Sequence, residues 1–170
     1  MNYKRLFIQN SLVFVTFVTK DRKKILIDNI DSLKKAFEIT KQKYNFDIVA
    51  IIVNPDHIHM IIQPEDIHSY PKIIGSIKST FTKISKLQHS INNSRESDIW
   101  QRRYWEHTIT DTEDLNKHID YIHYNSMKHY DIAPKDWKYS SFKKFVKQGL
   151  YEENWCNFED KYNISQLELE

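Results

Sequence analysis

Cysteine is nearly absent: the 170 residues contain one, Cys156, which excludes an intramolecular disulfide and a cysteine-built zinc cage. A reducing cytosol is the compartment this usage predicts. Long apolar runs are missing too. No stretch approaches the roughly 20 residues that cross a bilayer, and Met1-Asn2-Tyr3-Lys4-Arg5-Leu6 lacks the apolar core of a signal peptide. The chain is therefore expected to be soluble and cytoplasmic, with no membrane partner. Repeats and low-complexity segments are absent. What is there, 170 residues with 40% hydrophobic content, suits one core and not comfortably two. The reading is a single domain over 1–170, with 131–170 as an extension packed on it.

Net charge is small, +2, but its distribution is uneven. Lys72, Lys78, Lys83, Lys86, Arg95, Arg102 and Arg103 gather in the middle, and Lys135, Lys138, Lys143, Lys144 and Lys147 follow. The last stretch holds Glu152, Glu153, Glu159, Asp160, Glu168 and Glu170. An acidic tail can hide a nucleic-acid footprint from a whole-chain count, although lysines that merely solvate helix faces give the same pattern.

Leu12 to Thr19 is β-branched and aromatic throughout, the pattern of a buried strand. Asn29 or Asp31 can cap a helix running to about Tyr44, with Leu33, Ala36 and Phe37 on its apolar side. Phe46 to Val53 reads as a second strand, and Asn54-Pro55-Asp56 is turn chemistry leading into a third, so these two should form a hairpin. A helix starting near Ser69 or Pro71 carries Ile73, Ile77, Phe81, Ile84 and Leu87 at helical spacing. Gln88 to Asp98 reads as a loop, Ile99 to Thr110 as a fourth strand, and Asp111 or Thr112 as the cap of a third helix. The order βαββαβ plus a helix predicts an α+β, ferredoxin-like sandwich: an antiparallel sheet, helices on one face, and an added C-terminal helix that covers the other.

Chemistry concentrates in Asn54-Pro55-Asp56-His57-Ile58-His59-Met60. On a strand alternate side chains share a face, so His57 and His59 point together while Ile58 and Met60 point into a core. Two imidazoles side by side are either the start of a metal site or two polar residues on a half-buried strand. The added helix contains Asp120-Tyr121-Ile122-His123-Tyr124-Asn125. Residues four apart share a helical face, so Tyr121 and Asn125 project together and Tyr124 points elsewhere. If that face lies over the histidines, a divalent metal could take two imidazole nitrogens and the Asn125 carbonyl oxygen, with the Tyr121 hydroxyl beside a bound phosphate. The other reading of Tyr121 is a ring packed in the core, as for most tyrosines.

Four segments occur in one order: NPDHIHMIIQP (54–64), IWQRRYWEHTI (99–109), DYIHYN (120–125) and DWKYSSF (136–142). Together they resemble the REP-associated tyrosine transposases, relatives of the single-tyrosine HuH transposases of insertion sequences, over about Tyr3 to Trp155. The resemblance implies a metal-dependent endonuclease and strand transferase that acts on single-stranded DNA beside hairpins. It also implies a 5′-phosphotyrosine intermediate and a free 3′-hydroxyl. Tyr121 falls on the nucleophile, His57 and His59 on the His-hydrophobic-His ligands, Asn125 on the third ligand, and Mg²⁺ or Mn²⁺ is the implied cofactor. The partner implied is single-stranded or hairpin DNA, and the state a monomer, with the dimer of insertion-sequence relatives as the other possibility.

Two positions depart from the family pattern: Ser126 stands where proline is usual and Tyr130 where glycine is usual. Without that proline a helix can continue and rotate Asn125. A hairpin-binding protein that no longer cuts is thus the alternative reading, with a ferredoxin-like RNA-binding module behind it. Arg102, Arg103, Lys78, Lys138, Lys143 and Lys144 are the candidate DNA contacts. Trp100, Tyr104, Trp105 and Trp137 can stack on bases or pack in the core, with the core favoured for Trp105. His118 and His129 are candidates to assist the tyrosine, and surface roles are open to both.

Overall fold

β1 (Val13–Val18) forms where the longest β-branched and aromatic run predicts it, and it is buried on both faces. The computed structural model describes residues 7–91 and 97–156; Tyr3, Arg95, Glu159, Asp160, Glu168 and Glu170 lie outside the described residues. After β1 come α1 (Ile30–Lys43), β2 (Phe46–Val53), β3 (His57–Pro64), α2 (Tyr70–Ile84), β4 (Trp105–Thr108), α3 (Thr112–Tyr130) and α4 (Phe142–Lys147). The strands pair antiparallel in the order β2-β3-β1-β4, which is the split arrangement of the ferredoxin-like fold.

The two faces of this sheet bury different clusters. Val13, Val15, Phe17, Ile58, Met60 and Ile62 meet α1 and α2. Phe14, Ala50, Ile52 and Ile61 meet Ile119, Tyr121 and Ile122 of α3. A strand covered on both sides has no polar face to alternate with, which is why β1 reads as an unbroken apolar run. A register shift in β2 between Ile48 and Ala50 places Val49 and Ala50 in the same cluster.

The outer edge of β2 is not left open. Val53 N donates to Tyr139 O at 2.8 Å, Ser141 N to Ile51 O at 2.9 Å, and Trp137 Nε1 to Val53 O at 3.1 Å. The segment 137–141 so covers an edge that would otherwise invite pairing with another chain, and it leads into α4, whose Phe142 and Phe145 are buried.

The fourth strand is shorter than the predicted Ile99 to Thr110. Only Trp105–Thr108 pairs continuously with β1; Trp100 makes one bridge to Thr19 and then buries its ring with Phe17 and Phe81. Aromatic content there signals core packing as well as strand. The cap of α3 is Asp111, whose carboxylate accepts from Asp114 N at 2.9 Å. Asp114 in turn reaches back to accept from Thr110 N at 2.8 Å, so the two carboxylates together close the start of α3.

Two outcomes follow for stability. Asp111→Ala should cost about 1 kcal/mol in denaturant unfolding, because it orphans a helix-terminal N–H. His123, buried between α3 and α4 and bonded to Ser141 Oγ at 2.8 Å, has its imidazole pushed down by burial to about 3 from 6.5. The unfolded chain therefore takes up that proton first. The stabilisation is complete above about 6.5 and is lost as pH falls toward about 3. His118, lowered mainly by burial, acts in the same direction. Urea titrations should show stability falling on acidification below about pH 6.5, by up to roughly 1.4 kcal/mol per pH unit for each such proton. A flat profile would contradict the buried, neutral state of His123.

Candidate functional site

The histidine strand begins at a turn held from several directions. Thr19 N donates to Asp56 O at 2.8 Å, Leu26 N to Pro55 O at 2.9 Å, and Asn54 N to His57 O at 2.8 Å. Such a turn fixes where β3 starts, and with it the direction of His57 and His59. Both are buried, their rings 4.8 Å apart. Helix α3 packs on this face of the sheet, with the Tyr121 ring against His59.

Each imidazole is oriented through its Nδ1. His57 Nδ1 donates to Asp56 Oδ1 at 2.6 Å, and His59 Nδ1 is hydrogen-bonded to Thr16 Oγ1 at 2.7 Å. These bonds occupy Nδ1 on each ring and leave Nε2 as the atom that could bind a metal, an arrangement that outer groups impose on metal-binding histidines. Burial first, and then the neighbouring His59, lower the pKa of His57 and keep it in the neutral form that binds metals.

α3 lays its polar stripe over this pair. Asn125 Oδ1 accepts from Asn54 Nδ2 at 2.7 Å, and the same Nδ2 lies 3.0 Å from His57 Nε2. Helix α3 runs straight through Ser126 to Tyr130 and stops at Asp131, in the left-handed region at φ 53°. Continuing the helix has thus not turned Asn125 away from the histidines. Tyr121, 1% exposed, sets its ring 5.2 Å from that of His59 and beneath Lys128, whose Nζ is 5.0 Å from the ring centre. Tyr124 lies in another cluster with Met127 and Cys156, and Tyr130 stacks on Trp137 at 5.1 Å.

The donors fit a divalent ion. Two imidazole nitrogens and an amide oxygen are neutral ligands from rigid elements, and a bound phosphate can complete the shell. A second group with ligand chemistry lies nearby. His107 Nε2 is 2.8 Å from Asp114 Oδ2, His118 Nδ1 is 3.0 Å from Asp114 Oδ1, and the imidazoles stack at 4.7 Å. Asp114 Oδ2 also accepts from Thr110 N and Oγ1, so this oxygen is already used in closing the start of α3. Phe14 packs against both His118 and Tyr121, and His118 bonds back to Asp114 O at 2.8 Å. His129 is exposed, with its ring 5.5 Å from that of His57.

The candidate basic residues belong to separate elements. Lys78 donates to the carbonyl oxygens of Gln101 and Arg102, next to exposed Arg103; Lys143 and Lys144 are exposed on α4, and Lys138 lies beside the α1 face. Trp105 overturns the core expectation. It is 40% exposed, with its edge toward Phe14. Its backbone is opposite Thr16, which is itself opposite His59, so Trp105, Thr16 and His59 form a row across three strands.

Sequence reasoning missed Thr16, Asp56, Asn54 and Lys128. Thr16 lies 43 positions from His59 and meets it only through strand register, for which the sequence carries no signal. Asp56 and Asn54 stand in plain view but read as turn residues. Lys128, seven residues after Tyr121 on α3, was discernible from helical spacing. Among the described residues no helix is long and apolar enough to cross a membrane.

Comparison with known proteins agrees with this geometry. The sequence pattern of the family described as IS200-like transposase matches residues 8–125. A protein assigned as a REP-associated tyrosine transposase in Haemophilus influenzae is 44% identical, over 91% of this chain and 92% of its own length. The REP-associated tyrosine transposase of Escherichia coli K12 is 33% identical, over 91% and 90%. A solved structure of a REP-associated tyrosine transposase bound to a REP hairpin superposes with a TM-score of 0.81 at 31% identity, covering 92% of each chain. Order of elements, placement of the histidine strand and these similarities lead to one conclusion: the chain belongs to the IS200-like transposase family, among the REP-associated tyrosine transposases.

Proposed function

We propose that this transposase cuts and rejoins single-stranded DNA beside hairpin-forming repeats, with Tyr121 as nucleophile and with His57, His59 and Asn125 holding Mg²⁺ or Mn²⁺. One observation carries the reading. The Tyr121 ring packs on His59 while Asn125, one turn further along α3, joins His57 through Asn54. The two carriers of the chemistry are thus a strand and a helix that the fold already packs together. The hairpin in the structure of the relative supports the choice of nucleic acid.

A bound divalent ion would neutralise charge on the scissile phosphate, which otherwise repels an approaching phenolate. The Tyr121 oxygen attacks phosphorus, loses its proton, and becomes joined to the 5′ phosphate. The bond to the 3′ oxygen breaks, and that oxygen takes up a proton to leave as a hydroxyl. Reversal by the same or another 3′-hydroxyl restores a phosphodiester without ATP, because the bond energy stays in the phosphotyrosine. Lys128, with its Nζ 5.0 Å from the Tyr121 ring centre, adds a positive charge beside the phenol that favours its ionised form. Trp105, exposed in line with Thr16 and His59, offers a face on which an unpaired base can stack, and Arg102, Arg103 and Lys78 offer phosphate contacts. Lys138 and the exposed Lys143 and Lys144 of α4 offer further phosphate contacts.

Labelled single-stranded hairpin DNA with Mn²⁺ tests this on denaturing gels. Tyr121→Phe should give no covalent adduct, while Tyr124→Phe and Tyr130→Phe still do, since a buried structural tyrosine loses only about 1 kcal/mol with its hydroxyl. An adduct that persists in Tyr121→Phe and maps to Tyr124 would overturn the assignment. His57→Ala should abolish cleavage yet leave hairpin binding within a few-fold, because the exposed basic residues are untouched. Equal cleavage by this variant and the natural protein would remove the metal role of His57.

A further inference from the structure

Asn54 closes the turn before β3, a task that Asn-Pro-Asp performs through its backbone. Its side chain does something the turn does not require. It is fully buried, and its Nδ2 sits between the two ligand atoms His57 Nε2 and Asn125 Oδ1, at 3.0 and 2.7 Å. Three acceptors cannot face one another without a donor or a cation among them. Without a cation, the amide therefore presents its two N–H groups.

We propose that Asn54 is a further protein ligand of the metal site, turning its amide over so that Oδ1 joins His57, His59 and Asn125 on the ion. This rests on the metal reading of the site. The spacing suits it: neighbouring ligands on an octahedral ion, each near 2.1 Å from the metal, are roughly 3 Å apart. Nδ2 already stands at about that separation from both ligand atoms. The two ends of an amide are close in size, so a half-turn about its last bond brings Oδ1 there without displacing the neighbours.

The unsatisfied atoms point the same way. Among the described residues, Asn54 Oδ1 and Asn125 Nδ2 are buried with no hydrogen-bond partner. Because Asn54 Oδ1 has no partner, turning its amide over breaks no hydrogen bond at that end. With the ion bound, both amide oxygens gain a strong electrostatic partner. A second oxygen also moves the ligand set from imidazole-rich toward the oxygen-rich sets that Mg²⁺ and Mn²⁺ accept.

Mn²⁺ titration of the whole chain without DNA, followed by the paramagnetic resonance of the free ion, tests the assignment, with thermal unfolding recorded with and without Mn²⁺. Asn54→Ala should weaken Mn²⁺ binding by about 10-fold or more. Asn54→Asp, which puts an oxygen at the same place, should bind Mn²⁺ at least as tightly as the natural protein. It should also melt lower without metal and gain more from Mn²⁺, because its carboxylate faces Asn125 Oδ1 until a cation separates them. Binding by Asn54→Ala that is unchanged or tighter would overturn the proposal and make Asn54 a plug that the ion displaces. If Asn54→Ala fails to fold, weaker binding by Asn54→Asp overturns it instead. His57→Ala separates the two levels: loss of binding there with none in Asn54→Ala removes only the Asn54 ligand, whereas unchanged binding in His57→Ala removes the site and the proposal together.

Discussion

Two imidazoles buried on a central strand must find polar partners, and most of the site's arrangement follows from that requirement. A polar group taken out of water without a hydrogen bond costs a few kcal/mol, so His57 and His59 demand neighbours from every element that covers them. The turn supplies Asp56 and Asn54 and β1 supplies Thr16, while Asn125 of α3 joins the network through Asn54. The helix is thereby fixed in rotation as well as position. With Asn125 tied to Asn54, Tyr121 one turn earlier sets its ring against His59 and Phe14.

This coupling keeps Asn125 beside Asn54 despite the two departures from the family pattern. Ser126 lets α3 continue, but the bond to Asn125 Oδ1 holds the polar stripe toward the histidines. The left-handed residue that ends the helix is Asp131, immediately after Tyr130, and its N–H still closes onto Met127 O at 3.2 Å. Aspartate tolerates that conformation better than most side chains, so a glycine at Tyr130 is not needed.

Much of this was legible in the sequence because it depends on local pattern. Period-two alternation located Ile58 and Met60 on one face of β3 and the histidines on the other, and i to i+4 spacing put Tyr121 and Asn125 together. What was not legible depends on pairing between distant segments. Thr16 faces His59 by strand register, and the 137–141 segment reads as basic and aromatic although its backbone covers the edge of β2. Composition also misleads where a residue type serves two ends. Trp100 and Trp105 lie five apart in one aromatic stretch, yet the first packs with Phe17 and Phe81 while the second, on the face of Thr16, stays exposed.

The central claim is that one cation position, between β3 and α3, serves Tyr121. Anomalous diffraction from crystals of the chain soaked in Mn²⁺ measures it directly. The account predicts a manganese peak within bonding distance of His57 Nε2, His59 Nε2 and Asn125 Oδ1. A single peak at His107, Asp114 and His118, with none between β3 and α3, would contradict it.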